Sequence, residues 1–370
     1  MKQQKNWTGL FLTVFLGCLA LVIGLAVYID PYFHYRAPRL EQFLYKPEVQ
    51  RSVNDGMVKH LTYDSVIAGS SMTECFKTSQ AEEYFGGSCI KVPSKGASWF
   101  EVDGLLRVAF RNHPEIKTVI RSLDMSYFEE APRQVHYEIG PYPTYLYNEK
   151  LLDDVYYVLN RDVIYGNCMQ MLLGRLRGET SGLGSLDDYS AWGPEIYGKS
   201  VAVRRDAPYA ETRQQALTEE RREKVRCNVR EKVVALAQEH PDTTFYCFLT
   251  PYSAAWWGDL WEEGQLEAQL EMEEIVIRAI LPCKNIRLFS WNTVKELTAD
   301  LANYKDRIHY GPWVNDWMLE QMASGKGMLT EENVQAYLDE ERDLYVNFDY
   351  NSLFDQEDPT DYIAPAFFRQ

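Results

Sequence analysis

Two short runs, far apart in the chain, hold the residue types needed for acyl transfer. The first is Ile67-Ala68-Gly69-Ser70-Ser71-Met72, an apolar run ending in Gly-Ser-Ser. The second is Asp306-Arg307-Ile308-His309, an Asp and a His three positions apart. A serine hydroxyl is a poor nucleophile until a base takes its proton during attack. His309 can be that base near neutral pH. Asp306 can hold the imidazole in the right tautomer and stabilise its cation. The charge that then develops on the attacked carbonyl oxygen needs aimed donors. Backbone N–H groups at Ser71, where a helix is expected to open, and at Gly96, in the loop after the second expected strand, can supply them. Ser70 is the alternative nucleophile. Asp124 is a candidate substrate-binding or supporting group, or a turn cap. His34, His60, His113, His136 and His240 have no such partners in the sequence and read as surface or satisfied core residues.

These residues need elements to bring them together. Tyr63–Gly69, Ser88–Val92, Thr118–Leu123, Thr244–Leu249 and Asn285–Phe289 read as buried strands, each a short apolar run. Helical spacing lies between them at Met72–Glu83, Trp99–Phe110, about Leu217–His240, about Glu262–Leu281, and after the last strand at Pro312–Ala323. Strand and helix in alternation mean βαβ units and a parallel sheet, so the fold class is α/β. Ligand sites in such sheets lie off the carboxyl ends of the strands. Ser71, Gly96, Asp124 and the loop at Pro251 all follow expected strands, so they converge on one edge. Alternation fails between residues 126 and 212, which read as a large insertion forming a wall or lid, and residues 330–370 read as an acidic, aromatic extension.

Thr8 to Ile29 carries no charged residue. That is about the 20 apolar residues needed to cross a bilayer. Residues 1–29 are therefore expected to be a cytoplasmic tail and single transmembrane anchor, 30–60 a stalk, and 61–329 the catalytic domain. Lys2 and Lys5 precede the span, so the positive-inside rule leaves the N-terminus in the cytoplasm and the rest outside. A cleaved signal would keep the same compartment and lose only the anchor. The net charge of −16, with no basic stripe, excludes a nucleic-acid partner. The seven cysteines show no CxxC pair and no zinc-like spacing, so no metal site is expected. Cys75 and Cys89 are the nearest pair outside the apolar run, but free buried thiols are the simpler reading in a chain this long. The chemistry calls for no cofactor. Trp256, Trp257 and Trp261 follow the Pro251 loop and suit either sugar stacking or packing.

Gly69-Ser70-Ser71, Gly96 and Asp306-x-x-His309, in that order, resemble the SGNH (GDSL-like) hydrolase superfamily. That family places its serine after a strand as Gly-Asp-Ser, an oxyanion glycine in its second block, and Asp-x-x-His in its last. The resemblance implies a three-layer flavodoxin-like parallel sheet, Ser71 as nucleophile, and Gly96 as oxyanion glycine. The Asn of the third block has no counterpart; Leu123-Asp124 stands there, and an ionised Asp124 would not stabilise an oxyanion. The Gly-Ser-Ser form, the anchor and the insertion are more similar to a membrane-anchored subset related to alginate O-acetyltransferases and to the protein of teichoic-acid D-alanylation. That subset implies an envelope polysaccharide or teichoic-acid-type substrate and a multi-span membrane acyltransferase as partner. A different class also fits, a non-catalytic anchored glycan-binding or assembly protein on the same fold.

Overall fold

Ser65–Gly69 (β1) is buried at every position, as its unbroken apolar run requires of a strand covered on both faces. The computed structural model describes residues 2–40, 43–45, 49–136, 142–148, 150–179, 182–359 and 364–369. In it β1 is joined by Cys89–Pro93 (β2), Thr118–Leu123 (β3), Thr244–Leu249 (β4), Ile286–Phe289 (β5) and Met328–Leu329 (β6). The sheet order is β2-β1-β3-β4-β5-β6, with only β6 antiparallel. The first five follow the 2-1-3-4-5 order of doubly wound sheets. In that order the chain changes direction between β1 and β3, which opens a crevice at their carboxyl ends.

Contacts divide the chain into two units, residues 1–61 with 139–185 and residues 62–138 with 186–370. The sheet belongs to the second. Helix Thr78–Phe85 packs with Pro312–Ser324, and Trp99–Asn112 lies beside the helical stretch 219–239, itself packed on Leu266–Ile280. These two groups are the outer layers of an α/β fold. Ser98 and Glu101 form a reciprocal capping box that starts one helix, and Pro312 occupies the first turn of another.

One expected helix is split and another begins later than expected. Met72–Glu83 becomes a 3-10 turn at Ser71–Thr73 and a helix from Thr78. The carbonyls of Glu74 and Phe76 are taken instead by the Lys91 ammonium, at 2.7 and 3.0 Å, with Asp187 O at 2.8 Å. Burial pulls that ammonium down to about 8. The helix expected at about Glu262–Leu281 is the single helix Leu266–Ile280; Gly264, whose φ is +69°, separates it from a further helix, Ala254–Glu262, that was not expected. β6 and the helix Val334–Val346 were not expected; a two-residue strand carries no periodic signal.

The first unit begins with the helix Lys2–Ile29, in which Trp7–Ile29 holds an 18-residue window of mean hydropathy 2.8 and is long and apolar enough to cross a membrane. The side chains of Lys2 and Lys5, on which the expected orientation rests, lie outside the described residues. At the end of this helix the buried Asp30 carboxylate accepts N–H groups from His34, Tyr35 and Arg36 and the Tyr157 hydroxyl, at 2.8 to 3.1 Å. Helix Gln50–His60 presses Gly56 against this turn; a Cβ there would lie 2.2 Å from Tyr32 O. All seven cysteines are free, and five are buried.

Under the helix Val334–Val346 lies a buried acid pair. Asn292 Nδ2 donates to Glu273 at 3.2 Å and to Glu341 at 2.9 Å, and the Tyr337 hydroxyl lies 2.9 Å from an oxygen of each. Burial raises both carboxyls; Glu341 further disfavours ionisation of Glu273, while a hydrogen bond shared with Glu273 partly offsets the rise at Glu341, so one proton serves the pair. A raised carboxyl keeps its proton in the fold while the unfolded chain loses it above 4.5, its ordinary value. Stability therefore falls as pH rises past that point. Glu341→Gln removes this cost, so the variant should gain on the native protein as pH rises from 4.5 to 8 in urea unfolding. A stability difference that stays constant across that range would refute the shared-proton account.

Candidate active site

Gly69 ends β1 where no side chain fits: a Cβ would stand 2.2 Å from Ser122 Oγ on the neighbouring β3. Overpacking of this kind costs about 1–3 kcal/mol. The chain then turns at Ser70, and the 3-10 turn aims the next two serines differently. Ser70 Oγ donates to Asp124 Oδ1 at 2.5 Å and accepts the Met72 N–H at 3.2 Å. Ser122 Oγ donates to Asp124 Oδ2 at 2.9 Å and accepts the Ser70 N–H at 3.3 Å. The Tyr252 hydroxyl lies 3.4 Å from Asp124 Oδ1. Ser70 is thereby committed to structure. Burial pushes the Asp124 carboxyl up, against the pull of the Ser70, Ser122 and Tyr252 hydroxyls and the nearby His309.

Ser71 Oγ lies 2.7 Å from His309 Nε2, and His309 Nδ1 lies 2.7 Å from Asp306 Oδ2. The backbone N–H groups of Ile308 and His309 bond Asp306 Oδ1 at 2.9 and 2.8 Å. Burial alone would raise the Asp306 carboxyl. The His309 side chain and these two N–H groups outweigh it and hold it at about 2. A carboxylate so placed fixes the proton on Nδ1 and leaves Nε2 free to accept one from Ser71.

The histidine loop is braced on several sides. Tyr304 and Tyr310 form an antiparallel bridge, and Lys305 N–H bonds His309 O at 3.0 Å. Ser253 donates from its N–H and its hydroxyl to Arg307 O at 3.2 and 2.6 Å, and the Tyr304 hydroxyl donates to Pro251 O at 2.7 Å. Met72 O accepts from the Tyr310 hydroxyl at 3.2 Å and from Asn315 Nδ2 at 3.0 Å, which joins the serine turn to this loop. From the expected insertion, Trp192 meets the His309 ring edge-on at 5.4 Å. Its indole N–H bonds Glu74 Oε2 at 2.5 Å, and Lys305 Nζ lies 3.4 Å from its ring centre.

Ser71, His309 and Asp306 thus form one relay, while Ser70 and Asp124 form a separate pair beside it. Gly96 has a φ of +64° with open space on the side a Cβ would take, and neither it nor Ser71 makes a hydrogen bond through its N–H among the described residues. Of the tryptophans after Pro251, Trp257 serves packing, fully buried and stacked on Tyr345 at 4.1 Å; Trp256, half-buried, meets Tyr252 at 4.8 Å, and Trp261, half-buried, meets Tyr350 at 5.5 Å. Among the described residues no group of three or more His, Cys, Asp or Glu could hold a metal ion. Trp192, Tyr310, Asn315, Ser122 and Tyr252 were not foreseen. Ser122 alone had a sequence signal, as the side chain that β3 would place against a glycine at the end of β1.

No family model matches the chain, and no curated protein matches it. Among solved structures it is similar to an acetyl xylan esterase (Est2A) from the rumen bacterium Butyrivibrio proteoclasticus, at 9% identity and a TM-score of 0.30. The match covers 74% of this chain and 64% of that one, less than two thirds of the esterase, and is too distant to bear on the site.

A carboxyl held low contributes stability above its ordinary 3.8, and that contribution is lost as pH falls toward about 2. Asp306→Asn should therefore be less stable than the native protein at pH 7, and the gap should close between pH 4 and 2. A gap that persists unchanged at acid pH would show that the His309 contact contributes nothing through charge.

Proposed function

We propose that the chain is a serine esterase or O-acyltransferase working through an acyl-Ser71 intermediate. The observation that carries this reading is the unbroken relay from Ser71 through His309 to Asp306, with 2.7 Å at each link. Ser71 Oγ attacks the acyl carbonyl carbon as its proton passes to His309 Nε2. The carbonyl oxygen becomes an oxyanion, and the Ser71 and Gly96 N–H groups are the donors assigned to it. Collapse expels the alcohol, which takes the proton from His309. Water or an acceptor hydroxyl then attacks the acyl-serine, giving its proton to His309, and a second collapse frees Ser71 with that proton returned. Asp306 stays ionised throughout and stabilises the imidazolium.

In this reading Trp7–Ile29 anchors the protein in the membrane, with the catalytic unit on the outer side. The substrate is a cell-envelope polysaccharide or a teichoic-acid-type polymer, and a multi-span membrane acyltransferase is the partner that hands over acyl groups. One observation favours a second reading, a non-catalytic anchored glycan-binding or assembly protein. Where a third oxyanion donor would stand, Asp124 is an acceptor, already bonded to Ser70 and Ser122.

A fluorophosphonate probe separates the two. The native chain should be labelled, Ser71→Ala should abolish labelling, and Ser70→Ala should still label. A folded native chain that stays unlabelled supports the second reading, and loss of label only in Ser70→Ala would move the nucleophile. Asp306→Asn should slow acylation by on the order of 10³–10⁴-fold, because the imidazole then lacks the partner that fixes its tautomer. Hydrolysis and transfer are told apart by product analysis with an acetyl ester donor, in the presence and absence of acceptor glycans.

A further inference from the structure

A cavity of about 430 Å³ lies beside β5 and β6 in the sheet unit. This is within the roughly 300–1,000 Å³ of small-ligand sites. Trp291, Trp317 and Phe367 form its aromatic part, with Trp317 at 5.7 Å from each of the other two rings. Gln321 also lines it. The residue as a whole is 7% exposed, and its amide makes no hydrogen bond among the described residues. The amide is not sealed from solvent, so it opens onto the cavity and is available to a ligand there. Ser290 and Tyr337, whose hydroxyls lie 2.7 Å apart, add polar lining.

The lining also selects the class of ligand. Lys326 and Glu340 stand at the cavity exposed, one of each sign, and neither makes an ion pair among the described residues. An anion would meet Glu340 and the chain's charge of −16, and a cation would meet Lys326. A wholly apolar ligand would leave the Gln321 amide dry and unbonded. A neutral ring with apolar faces and a hydroxylated edge satisfies all of these, its C–H face on the indole of Trp317 and its hydroxyls on Gln321. We infer that this cavity is a binding site for a neutral pyranose unit of a glycan. Gln321 lies ten residues along the helix from Gly311, which follows His309 by two. At 1.5 Å per residue that is about 15 Å along the axis, so the cavity is a site apart from the triad.

The test uses the full chain in a detergent without a sugar headgroup, titrated with maltotriose and with chitotriose and followed by saturation-transfer NMR. Saturable binding of at least one is expected. Trp317→Ala should weaken it tenfold or more and Gln321→Leu at least threefold, with fluorophosphonate labelling of Ser71 unchanged in both. Gln321→Leu is close in size to the native residue, so it decides the matter if Trp317→Ala fails to fold. No saturable binding of either sugar overturns the inference. So does native-like binding in Gln321→Leu, or displacement of the sugar by tetramethylammonium or inorganic phosphate at equal concentration. Because Ser71 labelling is read separately, failure here leaves the serine chemistry standing, and the reverse holds too.

Discussion

One carbonyl oxygen sets the distance on which the candidate chemistry depends. Ser71 and His309 are 238 residues apart, on loops that no strand pairing joins directly. Met72 O, next to the serine, accepts from Tyr310, next to the histidine, and from Asn315 one turn into the following helix. Each such bond is worth only about 1 kcal/mol to the fold. Their geometric value is larger, since a displacement of about 1 Å at a reacting pair can cost 10²-fold in rate. The Ser253 bonds to Arg307 O and the Tyr304 bond to Pro251 O brace the same loop from the β4 side. The base is therefore fixed by the framework rather than by the substrate.

The two adjacent serines show how a short turn separates roles that their shared side chain leaves open. Ser70 faces inward, where Asp124 and Ser122 use up its hydrogen bonds, and Ser71 faces His309. Opposed electrostatics accompany the split. Asp306 sits among N–H donors, the His309 ring with them, and is held low, while Asp124 sits in a desolvated pocket and is pushed up. Two carboxyls that look alike on paper thus differ in proton affinity through their surroundings alone.

The strands were the most readable part of the sequence. Thr118–Leu123 and Thr244–Leu249 fall where the apolar runs predict them, because central parallel strands are buried on both faces and leave no polar position to blur the run. Ser71, Asp306 and His309 were legible as a set, since their order and the sheet's directionality place them on one edge. Helix breaks were not legible. The break after Thr73 depends on Lys91 reaching in from β2, a partner that local spacing does not reveal. Asp124 was seen but its use was left open, because locking a neighbouring serine depends on strand register. Trp192 was invisible for a similar reason: it reaches the histidine from a stretch with no regular pattern, held by Glu74 and Lys305.

The unpaired thiols say something about the conditions this chain tolerates. Cys75, Cys89, Cys168, Cys247 and Cys283 are buried and reduced, and burial holds each thiol's ionisation above its ordinary range. Thiolate is the species that oxidants and disulfides react with, so these sulfurs are chemically quiet. The fold around these five positions therefore stands on packing and hydrogen bonds, with no covalent cross-link among them.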